Sequence, residues 1–232
     1  DFKFLTDGKQ SNDIDESNRL LGNEIFIEKG AKISCSILNA QDGPIYIGKD
    51  TEVMEGSIIK GPFAMLNNSQ VKLGSRIYGG TTVGPFSKVA GEINNSILFG
   101  FSSKAHEGYL GNSIIGEWCN LGAGTNVSNL KNNYEKVKIW NYQTNKFKST
   151  ELQFCGLIMG DHSKSSINTM FNTGTVVGVG ANIYGSGFPR NFIPSFSWGG
   201  ALGFSIYKLN SFFSTAEKVL KRRDITFNDI EK

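Results

Sequence analysis

Residues 47–89, IGKDTEVMEGSIIKGPFAMLNNSQVKLGSRIYGGTTVGPFSKV, set an apolar residue at every sixth position: Ile47, Val53, Ile59, Met65, Val71, Ile77, Val83 and Val89. The beat resumes at Tyr109, Ile115, Leu121 and Val127, then at Met159, Phe171, Val177 and Ile183, with Ser165 its one polar occupant. A second beat follows four residues behind, through Thr51, Ser57, Ser69, Ser75, Thr81, Ser87, Ser113, Cys119, Thr125, Ser163, Thr169, Thr175 and Ala181. All of these are small, and only Phe63 departs. A helix repeats near 3.6 and a plain strand at 2, so a sustained six predicts short strands joined at regular bends. Three such sides close a coil of about 18 residues, and stacked coils pair through their backbones roughly 4.8 Å apart. The expected fold is all-β, a solenoid. A sandwich with turns every 8 to 12 residues or so would lose this register.

Outward from that core the chain divides. Residues 1–24 are polar and aperiodic and read as a linker or arm from a missing N-terminal domain. Coils are expected over 25–129 and 155–185, with GPF at Gly61–Phe63 and Gly84–Phe86 marking corners. Between Gly91 and His106 the beat slips, which predicts an outward loop or bulge. Residues 130–154 break the repeat, and two β-prone runs, Val137–Tyr142 and Phe147–Leu152, flank Gln143-Thr144-Asn145 as an inserted hairpin. Residues 186–232 form a tail and a helix. A capping box at Ser214–Glu217 would start that helix, with Phe212, Phe213, Ala216, Val219 and Leu220 on one face. It is expected to cap the last coil, whose strand edges would otherwise be open. Lys218, Lys221, Arg222 and Arg223 read as a solvated basic face suited to a helix C-terminus.

Composition narrows the function. A net charge of +3 over 232 residues, without any nucleic-acid module, argues against nucleic acid as a partner. Cys35, Cys119 and Cys155 make neither a zinc pattern nor a full set of disulfides, so a reduced, cytoplasmic setting is expected and no metal is. No apolar run is long enough to span a bilayer.

Chemistry concentrates in 104–129, KAHEGYLGNSIIGEWCNLGAGTNVSN, which carries one of only two histidines. An amine attacking a thioester must shed a proton, and an imidazole at His106 can accept it, for roughly 10² to 10⁴ in rate. Backbone N–H groups of stacked coils offer donors for the developing oxyanion. His162 lies three residues past Met159, outward, where plain solvent exposure is expected, with Lys164 beside it to meet a phosphate. Tyr109 falls on the inward beat, so its hydroxyl would have to escape the core to meet a ligand.

The ordered combination SKAHEGYLG, NLGAGT and a further Asn before a Lys-bearing loop resembles the acetyltransferase half of the bifunctional N-acetylglucosamine-1-phosphate uridyltransferase/glucosamine-1-phosphate acetyltransferase family. GPIYIG, GNSIIGEWCNLGA, SNLKNNY and IPSFSWGG are similar to segments of its more divergent sugar-nucleotidyltransferase members. The resemblance implies a left-handed parallel β-helix of hexapeptide repeats and a homotrimer with sites between subunits. It implies acetyl-CoA as co-substrate, an amino-sugar phosphate as acceptor, and a role in UDP-N-acetylglucosamine biosynthesis. It casts His106 as general base and Asn129 as the residue positioning the amine, with Tyr109 and Asn120 on the sugar phosphate. Acetyl-CoA would run along Gly160 to Ile183, touching Gly160, Lys164 and Ala181. The family's phosphate-binding Arg after GPF has no match here, where Ser87, Lys88 and Val89 follow Phe86. Lys88, Lys104, Lys136 and Lys138 are the candidates to replace it. That departure keeps open a non-catalytic β-helix that trimerises or regulates a sugar-1-phosphate nucleotidyltransferase.

Overall fold

The computed structural model describes residues 2–227. Short parallel strands stack into three long sheets over about ten coils, a β-helix consistent with the left hand expected. The first face runs from Arg19–Leu21 to Tyr109–Gly111, and the second from Ile25–Ile27 to Phe192–Ile193. The third runs from Lys32–Ile33 to Ser197–Gly200, where Gly203–Ile206 turns back antiparallel. The sixfold beat is the core. Ile47, Met65 and Val83 pair in register on the second face, and Val53, Val71 and Val89 on the third, all of them buried. Each buried aliphatic side chain contributes about 1.5–3 kcal/mol, summed coil by coil. The second beat is small because it fills the tight corners while satisfying them: Thr51 donates to the Gly48 carbonyl at 2.7 Å, and Ser75 to Lys72 at 2.6 Å.

The slip after Gly91 does not bulge outward. It shortens a coil instead: Ser36 bonds across 18 residues to Met54, whereas Ser102 bonds across 15 to Ser87. Ile93, Leu98 and Lys104 keep the inward positions, and Leu110 takes the next one. Tyr109 points outward, against the expectation that it shares the inward beat, because the step from the inward Leu110 to Ile115 is five residues and not six.

The first coil already opens at Arg19, which pairs with Ile37. Residues ahead of it cover its edge: Asn12 donates twice to the Ile27 carbonyl, and Asn18 donates to Ile33 at 2.7 Å. The inserted segment forms a hairpin of Lys138–Asn141 and Lys146–Ser149. It folds onto its own solenoid, with Val137 buried and Trp140 stacked on Phe192 at 4.2 Å.

Two helices flank the coils, α1 (Phe2–Thr6) and α2 (Leu209–Lys221). Helix α2 starts after Lys208 with no side-chain cap, so Ser214 lies inside it and the expected capping box is not used. The aromatic pair Phe212 and Phe213 draws the start forward, because Phe212 must be helical to dock. It meets the last coil at Phe196, 5.1 Å away, and the helix then runs back along the solenoid until the Arg223 guanidinium reaches the Phe86 carbonyl. Thirteen residues span about 20 Å, roughly four coil spacings.

Candidate active site

Two groups of polar residues come together on different faces. The first is spread along the first face. His106 sits in the corner between Ser103–Lys104 and Tyr109–Gly111, and its side chain is exposed. At the other end of that strand, past Gly111, Asn129 of the next coil donates through Nδ2 to the Tyr109 hydroxyl at 3.0 Å and to Asn112 Oδ1 at 2.7 Å. Asn126 Oδ1 accepts from the Tyr109 amide at 2.8 Å, tying the next coil to the same tyrosine. Gly111 makes this possible by close approach: a Cβ there would lie 2.3 Å from the Tyr109 hydroxyl and 2.6 Å from Asn129 Nδ2.

These bonds leave usable chemistry outward. Since the Tyr109 oxygen accepts from Asn129, its own O–H remains to donate to a ligand. Among the described residues nothing donates to Asn129 Oδ1, which can accept from an N–H. Glu107, beside His106, is held by Arg76 at 3.1 Å.

Beneath this corner lies Lys104, which the sequence offered as a substrate contact. It is a core residue instead, 2% exposed at the position paired with Val89. Its ammonium donates to the carbonyls of Ala90 at 3.0 Å and His106 at 2.9 Å, and burial lowers its pKa to about 8. A lysine here fastens the backbone that carries His106.

The second group lies on the outer column of the third face, where Lys88, Ser103, Asn120 and Lys164 align in register. Asn120 thus stands with Lys88 and Lys164 in a cleft beneath α2, on a different face from Tyr109 and Asn129. Lys136 is elsewhere, ion-paired with Glu151 in the inserted segment, and Lys138 lines a cavity between that hairpin and the coils. Of the residues assigned to acetyl-CoA, Ala181 is fully buried, and its N–H and C=O are engaged by the Ser163 hydroxyl and the Lys164 amide. Gly160 accepts from the Cys119 thiol at 3.2 Å. Neither offers a ligand a free side chain, because both sit where coils touch; Lys164 alone carries a cation, and its ammonium donates to the His162 carbonyl at 2.9 Å. Burial pushes the Cys119 thiol up to about 12, which removes it as a nucleophile.

His162 is not solvent-exposed. At one corner of successive coils Phe86, Phe101, Trp118 and His162 all adopt φ near +58°, and their rings stack at 4.9, 4.1 and 6.0 Å. Left-handed backbone costs an aromatic residue about 1–2 kcal/mol, which the stacking offsets by about 0.5–1.5 kcal/mol per pair. Burial, with Lys164 adding to it and Asp161 opposing, drops the His162 pKa to about 4. The next corner residue is Gly180, and Phe212 of α2 fills the gap: a Cβ there would lie 2.7 Å from its ring. Sequence reasoning missed this ladder, although the aromatic spacing follows the coil length wherever the coil is shortened or interrupted. It also missed Asn112 and Asn126, whose only signal is their position beside Tyr109.

Among the described residues no three His, Cys, Asp or Glu side chains converge as metal ligands, and no helix is long and apolar enough to cross a membrane.

The bifunctional sugar-1-phosphate nucleotidylyltransferase/acetyltransferase of Sulfurisphaera tokodaii is 28% identical over 179 residues, 76% of this chain and 44% of its own length. The bifunctional protein GlmU of Methanocaldococcus jannaschii is 37% identical over 87 residues, 38% of this chain and 21% of that one. The chain therefore spans less than half the length of these relatives. Among solved structures, the polySia-specific acetyltransferase NeuO is 13% identical with a TM-score of 0.45, covering 90% of this chain and 94% of that one. No protein-family model matches.

Proposed function

We propose that this chain is the acetyltransferase part of a sugar-nucleotide enzyme, moving an acetyl group from acetyl-CoA to the amine of glucosamine 1-phosphate or a related amino-sugar phosphate. The observation that carries this reading is an exposed His106 at the start of the first-face strand that bears Tyr109, whose hydroxyl is held by Asn129 beside Asn112. The names of the sugar-nucleotide relatives support it. Asn129 Oδ1 accepts from the amine and aims its lone pair, and Tyr109 donates to the sugar. His106 takes the proton as nitrogen bonds to the acyl carbon and the carbon–sulfur bond breaks, and the sulfur leaves as a thiol once protonated. The exposed corner leaves His106 open to a neighbouring copy, and a homotrimer in the cytoplasm belongs to the same proposal.

The test is thiol release from acetyl-CoA by the whole chain, offered glucosamine 1-phosphate, galactosamine 1-phosphate or glucosamine. Amine-dependent release that falls by roughly 10² to 10⁴ in His106→Ala, with assembly unchanged, is the expected result. Full activity in that variant would remove His106 as the base. No release from any amine by a folded chain would leave the β-helix as a trimerising or regulatory element.

A further inference from the structure

Helix α2 borders a cleft of about 490 Å³ against the third face, to which it brings Val219 and, just past its last turn, two cations. Lys88 and Lys164 enter from the coils, Arg222 and Arg223 from the end of the helix, with Ser103 and Asn120 on the floor. None of the four cations takes part in a salt bridge among the described residues. The acidic side chains along the neighbouring corner are Glu117 and Asp161. Asp161 is occupied by the Glu117 amide at 2.8 Å. Lower in the Lys88 column, Glu52 accepts from Gln70 at 3.0 Å. Burial first, and then the like charges of Arg223, Lys72 and Arg222, lower the Lys88 pKa.

The convergence has a mechanical cause. Phe212 occupies the notch at Gly180, and the buried Ala216 and Leu220 continue the seam, so the last turn lands beside Phe86 and Lys88. A basic turn at a helix C-terminus is ordinary by itself. Two guanidiniums set against two strand lysines across one cleft make a positive field that favours an anion.

We infer that this cleft binds a phosphate group of the substrate, with Arg222 and Arg223 supplying forked donors on an element outside the coils. This rests on the transferase reading above, and it gives the basic turn of α2 a role in recognition rather than in solvation alone. Guanidinium pairs with phosphate through two parallel hydrogen bonds, which a lone Lys88 cannot do. Ser103 on the cleft floor is three residues from His106, so the two Cα atoms are at most roughly 10 Å apart. A phosphorylated hexosamine can bridge that interval with its amine at the imidazole. The same chemistry occurs in the phosphates of coenzyme A, and experiment separates the two sources.

Calorimetry on the whole chain with glucosamine 1-phosphate, coenzyme A and inorganic phosphate, against the Arg222→Gln/Arg223→Gln double variant and Lys88→Gln, is the test. Both changes lie at exposed or half-exposed positions, and circular dichroism confirms that α2 persists. Affinity for glucosamine 1-phosphate is expected to fall roughly 10- to 100-fold in the double variant, with a shallower salt dependence. A loss confined to coenzyme A would assign the cleft to the acyl carrier's phosphates. Unchanged affinity for both, or no binding of any phosphate probe by the wild type, would overturn the proposal. Because calorimetry needs no turnover, a chain that binds phosphate but acetylates no amine keeps the cleft and loses the catalytic reading. One that acetylates with unaltered affinity in the double variant does the reverse.

Discussion

The corner that carries His106 and the corner that carries His162 are built from the same coils, yet one is open and the other is closed. At His106 the side chain stands free, and the order lies beneath it in the Lys104 ammonium and farther along the first face in the Tyr109–Asn129 bond. At His162 the ring is clamped between Trp118 and Phe212, and among the described residues its Nδ1 has no hydrogen-bond partner. A β-helix can therefore use one residue type for chemistry or for cohesion, according to which corner it occupies and whether another element covers that corner. An imidazole held neutral and buried is no acid–base catalyst at neutral pH, whereas an exposed one supported by fixed neighbours is available.

Three changes would break or sharpen that contrast. The largest effect concerns Lys104. Its pKa is lowered from 10.5 to about 8, so between those values the unfolded chain binds more protons than the folded one. Wild-type stability should accordingly rise with pH from about 8 toward 10, by at most about 3 kcal/mol. In Lys104→Met that rise should vanish while turnover falls, because the His106 carbonyl loses its donor. Denaturant titrations at several pH values check the first part, and steady-state rates the second. An unchanged pH slope in the variant would mean that the ammonium is not buried in solution.

Next comes Phe212→Ala, which empties the Gly180 notch. A half-buried aromatic should cost about 2 kcal/mol, felt locally as detachment of α2 rather than as unfolding of the coils. Hydrogen exchange should rise across Leu209–Lys221 and stay low at Val53, Val71 and Val89. The same variant should weaken phosphate binding, since Arg222 and Arg223 travel with the helix. The smallest effect is expected from Gly111→Ala. The added methyl forces the Tyr109 hydroxyl away from Asn129, and kcat should drop roughly tenfold with little change in melting temperature. Equal loss of stability and activity would instead mark Gly111 as a packing residue.

Much of this was legible in the chain. Ile47 through Val89 announce their period without reference to any contact, because each sixth residue must enter a core only one side chain deep. Thr51 and Ser75 likewise declare the small corners. The beat failed at Tyr109 because the side from Leu110 to Ile115 is one residue short. A count of sixes has no means of telling a shortened turn from an outward loop.

The sequence by itself determined the repeat, the three-sided coil, the break at the inserted hairpin and the outlying presence of His106, Asn120 and Asn129, since all of these follow from spacing along the chain or from motif order. Only the tertiary structure decided that Lys104 faces inward, that His162 is sealed into an aromatic ladder, and that α2 doubles back to set Arg222 and Arg223 over Lys88. These depend on which corner of which coil a residue reaches and on what packs across it. Such contacts join positions as far apart as Phe86 and Arg223, where local periodicity carries no information and burial alone sets the outcome.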